Sequence, residues 1–222
     1  MRLLFRLFWL PIYRIWVLRY IQQERTCEYA GLFLRIPPGV FHPGVFFSTP
    51  IFASFLQSVD FQQKKVLDIG TGSGLLALFA AQRSAQATAI DIHPLAAETA
   101  RQNAALNLLP LTVLESDLFD ALPLQSFDII LINPPYYPRK PQNTAENAFF
   151  AGENLEYFTK LYQGLGRYTH PETKVWMVLS VDCDLKALEA AARRSGFDWQ
   201  PVFEKKKWGE KFLVIAQRLT SG

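Results

Sequence analysis

The chain has 222 residues, half of them hydrophobic, 14% aromatic and 19% charged. That length allows one substantial domain with a short extension, and the composition excludes a disordered, collagen-like or coiled-coil chain. The net charge of +3 is local: the first 25 residues hold Arg2, Arg6, Arg14, Arg19 and Arg25 against Glu24 alone. Acids and bases nearly balance over the rest, so no broadly basic nucleic-acid groove is expected there. Arg139 with Lys140, and Lys205, Lys206 and Lys207, remain as short clusters able to touch phosphate. Cys27 and Cys183 lie far apart, with no Cys-x-x-Cys and no flanking histidines. Neither a metal site nor a disulfide framework is expected, and a reducing cytoplasm is the default.

Residues 1–40 read as a basic, aromatic N-terminal extension, and residues 41–222 as the main domain. The longest charge-free run at the start, residues 7–13, contains Pro11 and is far shorter than the ~20 residues that a spanning helix needs. It also lacks the layout of a signal peptide. Packing on the domain is the favoured role of this segment, with a membrane surface or a partner as the other two. From Thr49 and Pro50, a cap followed by a first-turn proline, a helix is predicted over 49–59. Strands at 65–69, 87–92, 111–114, 127–132 and 174–181 alternate with helices at 75–82, 94–106, 153–168 and 184–195. Runs 199–204 and 211–217 read as an antiparallel closing pair. The fold class is therefore α/β, a mostly parallel seven-stranded sheet with a C-terminal antiparallel hairpin and helices on both faces. One long proline-bearing loop, 134–152, interrupts the alternation, and loops of that length usually serve a site.

The first motif is the buried strand Val66-Leu67-Asp68-Ile69 running into Gly70-Thr71-Gly72-Ser73-Gly74 and then a helix. Glycines let the backbone turn tightly beneath a ligand and present amides at a helix N-terminus. The third glycine comes one residue too early for a nicotinamide fingerprint. Together with Asp68 it resembles motif I of the class I S-adenosylmethionine methyltransferases, although a tight turn with no ligand would use the same residues. Asp91 ends the second strand 21 residues beyond Gly70, where a carboxylate can accept ribose hydroxyl protons or instead cap the helix at Pro94. His93 reads as a surface neighbour. After the third strand, the resemblance places Asp117 beside the adenine amine, with Ile92 and Leu118 as further cofactor contacts.

Asn133-Pro134-Pro135-Tyr136 follows the apolar run Phe127-Asp128-Ile129-Ile130-Leu131-Ile132. A planar amide or aromatic amine is a poor nucleophile because its nitrogen lone pair is delocalised. Two acceptors, the Asn133 side-chain oxygen and the Pro134 carbonyl, would hold both N–H bonds and aim a more tetrahedral nitrogen at a sulfonium methyl. Tyr136 would stack on the planar group. Alone, the four residues read equally well as a rigid turn or a polyproline ligand.

In this order the motifs resemble the N-methyltransferases with an Asn-Pro-Pro-Tyr motif, and most closely the protein-glutamine (release-factor) methyltransferase family. Gly39-Val40-Phe41-His42-Pro43 with Thr49 resembles the family's segment before motif I, where a proline and a polar residue border the cofactor. Ala151-Gly152-Glu153-Asn154-Leu155-Glu156-Tyr157 resembles its glycine-acidic stretch after the acceptor loop. The resemblance implies a Rossmann-like class I methyltransferase fold and S-adenosylmethionine as cofactor. It implies cofactor contacts from Thr49, Asp68, Gly70, Thr71, Gly72, Gly74, Asp91, Ile92, Asp117, Leu118 and Asn133, with Asn133, Pro134 and Tyr136 at the reacting nitrogen. A protein glutamine is the expected acceptor. RNA-base methylation is the alternative, since sister families share the four-residue motif, and an inactive cofactor-binding scaffold is the non-enzyme reading.

Overall fold

The computed structural model describes residues 22–45, 47–135, 155–207 and 209–220. A two-stranded hairpin, β1 (Arg25–Tyr29) and β2 (Leu32–Ile36), precedes helix α1 (Ser48–Leu56). Then follow β3 (Lys65–Ile69), α2 (Leu75–Ala81), β4 (Gln86–Asp91), α3 (Pro94–Leu106), β5 (Thr112–Glu115) and β6 (Ile129–Ile132). The C-terminal half holds α4 (Glu156–Leu165) with a 3-10 turn (Gly166–Tyr168), β7 (Lys174–Ser180), α5 (Leu185–Arg194), β8 (Gln200–Lys207) and β9 (Glu210–Gln217).

Seven strands form one sheet in the order β5-β4-β3-β6-β7-β9-β8. The first five pair in parallel, while β9 runs antiparallel to both β7 and β8. The apolar runs of the central strands follow from burial on both faces. Val66, Ile129 and Leu131 join one core with α1, α2 and the β1–β2 hairpin. Their neighbours Leu67, Ile130 and Ile132 turn to the other face and meet Phe158, Leu161 and Leu165 of α4 and Leu188 of α5. Successive strand residues point to opposite sides, so each alternation feeds two cores.

Strand β3 has β4 on one side and β6 on the other, so the chain direction of growth reverses there. Ligands of open α/β sheets bind in the crevice beyond the strand C-termini at such a switch point. The register aligns Ile69 with Ile90 and with Ile132, which brings the ends of β3, β4 and β6 level.

Two predicted boundaries differ for identifiable reasons. Thr49 does not cap α1: the helix begins at Ser48, Phe47 is the N-cap residue, and no side chain caps it. Strand β6 starts at Ile129, and Asp128 ahead of it joins the neighbouring strands through its N–H to the Lys65 carbonyl while its carboxylate accepts the Lys65 N–H at 2.8 Å.

The β1–β2 hairpin lies within the stretch read above as an extension. Leu32, Leu34 and Ile36 are buried in the first core while Phe33 and Arg35 face outward. Its turn places Ala30 (φ 51°) and Gly31 (φ 79°) in the left-handed region, the geometry of a two-residue hairpin turn. The exposed edge of β2 is completed by two side chains of α3. Asn103 Oδ1 accepts the Arg35 N–H and its Nδ2 donates to the Arg35 carbonyl, while Asn107 does the same for Phe33. Tyr29 Oη donates to the Pro50 carbonyl, which braces the start of α1. Residues 1–21, the favoured part of that extension for packing, lie outside the described residues. Among the described residues no helix is long and apolar enough to cross a membrane.

Candidate active site

The turn after β3 is built on left-handed glycines, with φ of 71°, 56° and 86° at Gly70, Gly72 and Gly74. Gly74 is restricted twice over, because a Cβ there would lie 3.1 Å from Ala100 Cβ and 3.2 Å from its Cα. The third glycine therefore lets α3 approach the turn closely. Asn103 Nδ2 donates to the Ser73 carbonyl at 2.9 Å, tying α3 and, through Arg35, the hairpin to the same turn.

Asp68 is buried beneath the turn. Its Oδ2 accepts from Thr71 Oγ1 at 2.6 Å and from the Ala77 N–H at 3.2 Å, whereas its buried Oδ1 has no partner among the described residues. Burial pushes this carboxyl up to about 7 against the lowering effect of those two hydrogen bonds. Asp91, at the end of β4, uses Oδ2 to accept the Gly72 N–H and Oδ1 to accept the His93 N–H, both at 2.9 Å. Burial raises its carboxyl as well, opposed by those two amides. A carboxylate offers about four lone-pair directions, so both oxygens can still take hydroxyl protons. The helix after it is capped by His93, whose Nδ1 accepts the Leu95 N–H.

Asn133 follows β6, and its Nδ2 donates to Thr49 Oγ1 at 2.9 Å across 84 positions of sequence. Pro134 is buried. Tyr136, and the glycine-acidic stretch up to Asn154, lie outside the described residues. Asp117, expected near an adenine, ion-pairs with Lys160 at 2.7 Å, and Lys160 also meets Asp120 at 2.8 Å. The loop between them is held by Ser116, whose hydroxyl donates to the Leu118 carbonyl and accepts from the Ala121 N–H. Leu118 is buried, and Ile92 presents an apolar surface that is 38% exposed beside Asp91.

The structure thus joins Asp68, Thr71, Gly72 and Asp91 in one hydrogen-bonded unit and Thr49 with Asn133 in another. Sequence reasoning missed three contributors. Asn103 and Lys160 sit on helices with no motif to mark them. Tyr157, at the start of α4, has a buried hydroxyl without a partner among the described residues. Burial, and then the charges of Asp91, Asp68 and Asp117 among its neighbours, push its acidity well below that of an ordinary phenol. It therefore stands as a neutral donor near those three carboxylates. Two buried groups without partners among the described residues, the Asp68 oxygen as acceptor and the Tyr157 hydroxyl as donor, are what a polar ligand would satisfy.

Residues 32–156, more than half of the chain, match the family described as methyltransferase small domain. The chain belongs to that family. A putative protein N5-glutamine methyltransferase of Methanocaldococcus jannaschii is 37% identical over 112 residues, covering 50% of this chain and 54% of the relative. A tRNA1(Val) (adenine(37)-N6)-methyltransferase of Phocaeicola vulgatus is 36% identical over 140 residues, covering 59% and 57%. The match thus spans only part of the curated relatives' length, just over half of these two and 33% of a tRNA1(Val) methyltransferase of Vibrio campbellii. Among solved structures, a chain of the E. cuniculi Mtq2–Trm112 complex, described as responsible for methylating the termination factor eRF1, superposes with a TM-score of 0.62 at 19% identity. The match covers 82% of this chain and 99% of that one. The T. thermophilus 16S rRNA N2 G1207 methyltransferase, solved with AdoMet and guanosine, also gives a TM-score of 0.62 at 19% identity, covering 90% and 50%. These likenesses establish the class I methyltransferase fold that the motifs imply.

Proposed function

We propose that this protein is an S-adenosylmethionine-dependent N-methyltransferase acting on a planar amide nitrogen, the side chain of a protein glutamine. The observation that carries the chemistry is the Asn133–Thr49 hydrogen bond, which engages the amide nitrogen of Asn133 and leaves its oxygen to accept. The bound cofactor supplies an electrophilic methyl on a sulfonium sulfur. The chain's residues suit such a ligand: the Asp68 oxygen that has no partner among the described residues would accept from an ammonium group, Asp91 would take ribose hydroxyls, Ile92 and Leu118 would offer apolar contact to a flat base, and Gly70, Thr71, Gly72 and Gly74 would shape the backbone beneath it. Asp117, held by Lys160, would serve the adenine amine. Asn133 Oδ1 and the Pro134 carbonyl hold the two N–H bonds of the acceptor and localise the lone pair on its nitrogen. Tyr136, which lies outside the described residues, would stack on the amide plane as the resemblance implies. With the cofactor bound, that nitrogen would be aimed at the sulfonium methyl, and its acidified N–H would need no strong base because water can take the proton.

Shape and charge favour a protein acceptor. The compact E. cuniculi chain, whose complex is described as methylating a termination factor, is covered almost end to end. Outside the first 25 residues, acids and bases nearly balance. RNA is the second reading, carried by the relatives that are tRNA methyltransferases. Transfer of a tritiated methyl group into a cell lysate, followed by separate protease and ribonuclease treatment, tests the choice. Label lost to protease supports the glutamine reading, and label lost only to ribonuclease overturns it while leaving the chemistry of Asn133 standing.

A further inference from the structure

Helix α4 connects the parallel strands β6 and β7, so it runs back against them, and its far end is fixed there: the Tyr168 carbonyl accepts the Phe127 N–H ahead of β6. Its first turn therefore stands at the strand C-termini, where the crevice of the switch point lies. Residues three, four and seven apart share one helix face. Along the face headed by Tyr157, Lys160 meets Asp117 at 2.7 Å, and Gly164 is pressed so close to the Phe119 ring that a Cβ there would collide with it. This face thus lies on the loop that follows β5. Helical side chains lean toward the helix N-terminus, so Tyr157 reaches one turn beyond Lys160 toward the crevice. Its ring packs against the second core, which holds Leu118 and the last apolar residues of β3 and β4, Ile69 and Ile90.

At that place the Tyr157 hydroxyl is buried and has no partner among the described residues, although the charges of Asp91, Asp68 and Asp117 all act on it. Buried hydroxyls are paired as a rule, and an unpaired one costs stability. Tyr162 of the same helix obeys the rule and donates to Gln217 Oε1 at 2.8 Å. We propose that Tyr157 is a further cofactor-binding residue, whose hydroxyl hydrogen-bonds the nucleoside of S-adenosylmethionine. A phenol can donate to a ring nitrogen or a ribose oxygen and can accept from a ribose hydroxyl, so the nucleoside pairs with it in either sense. The carboxylate of the amino-acid end does not suit a place already lined by acids. The proposal rests on the cofactor and is independent of the methyl acceptor.

Tyr157→Phe removes only the oxygen, and Tyr162→Phe is its counterpart. Calorimetry with S-adenosylhomocysteine should find Tyr157→Phe weakened by about threefold to tenfold, the scale of one neutral hydrogen bond. Methylthioadenosine, which lacks the amino-acid end, should lose the same factor when it displaces that ligand. The ligand-free melting temperature of Tyr157→Phe should stay within about 1 °C of native or rise, because the oxygen removed is unpaired. Tyr162→Phe should reverse the pattern, melting about 2 °C lower or more because Gln217 loses its partner, with cofactor affinity within about twofold of native. Native affinity in Tyr157→Phe overturns the proposal, as does a fall in its ligand-free melting temperature as large as that of Tyr162→Phe, which marks a structural hydroxyl. Weakened S-adenosylhomocysteine beside unchanged methylthioadenosine binding overturns the nucleoside assignment. Failure of S-adenosylhomocysteine to bind the native chain would instead overturn the cofactor reading itself, and this proposal with it.

Discussion

Asp91 illustrates how one residue supports both the turn and the ligand. Its two oxygens already hold the Gly72 and His93 amides, so Asp91→Ala removes the expected ribose contact and also leaves two backbone donors unpaired. Calorimetry should show cofactor binding weakened by about 1.5–3 kcal/mol, and thermal melting should show the apo protein destabilised as well. Asn133→Ala differs in kind: cofactor affinity should hold while turnover falls by about a hundredfold, the scale for one preorganised polar contact at a reacting centre. Single-turnover assays beside calorimetry separate the two.

Asp68 gives a pH signature. Burial holds its carboxyl up at about 7, well above the ordinary aspartate range, so between that range and 7 the native state binds more protons than the unfolded chain. Stability of the apo protein should therefore be highest at low pH on this account and decline as pH rises from about 4 to about 7, by a few kcal/mol at most. Asp68→Asn should flatten that limb in denaturant titrations across the range. Cofactor affinity should move the other way, strengthening as pH rises through 7, because the ionised carboxylate is the form that pairs with an ammonium.

At the scale of elements, what could be read depended on whether the signal was local. The strand 65–69 and the helix 94–106 match β3 and α3 residue for residue, since a β-branched apolar run and a first-position proline carry their own evidence. The closing pair was placed correctly, though β8 extends to Lys207 because its lysines line an exposed edge. The hairpin was not seen. Leu32-Phe33-Leu34-Arg35-Ile36 alternates as a strand should, but the turn is Ala30-Gly31 where Asn-Gly would have announced it. Its other support is tertiary, the Asn103 and Asn107 amides standing in for a third strand. Asn103→Leu should cost roughly 2–4 kcal/mol, since it strands the Arg35 N–H and the Arg35 and Ser73 carbonyls. Hydrogen exchange at Arg35 should quicken more than at β3 amides. Equal protection in mutant and wild type would mean that the hairpin is held by its apolar face alone. The site was legible to the same degree: Asp68, Asp91 and Asn133 announce themselves by spacing from the glycine turn and the strands, whereas Thr49–Asn133 and Tyr157 are brought in by packing across long sequence separations.

For the whole molecule the deciding question is whether the surface around the strand ends is built for a polyanion. Most cations that the structure describes there are already engaged. Lys160 is held between Asp117 and Asp120, Lys211 pairs with Glu204, Lys205 donates to Ser54 Oγ, and Lys207 sits over the Phe47 ring. An RNA enzyme releases counterions for each phosphate it neutralises, so six to ten such contacts would lose about 10³–10⁵ in affinity between roughly 50 and 200 mM salt. A protein acceptor held through a stacked amide and two carbonyl-type acceptors has no such term. Raising salt over that interval should change the KM for the methyl acceptor by less than about tenfold if a glutamine side chain is methylated. A steep log-linear loss would place phosphates at this edge. Repeating the titration with Lys205→Ala and Lys207→Ala would then show whether these two lysines carry it, each true phosphate contact reducing the slope by about one.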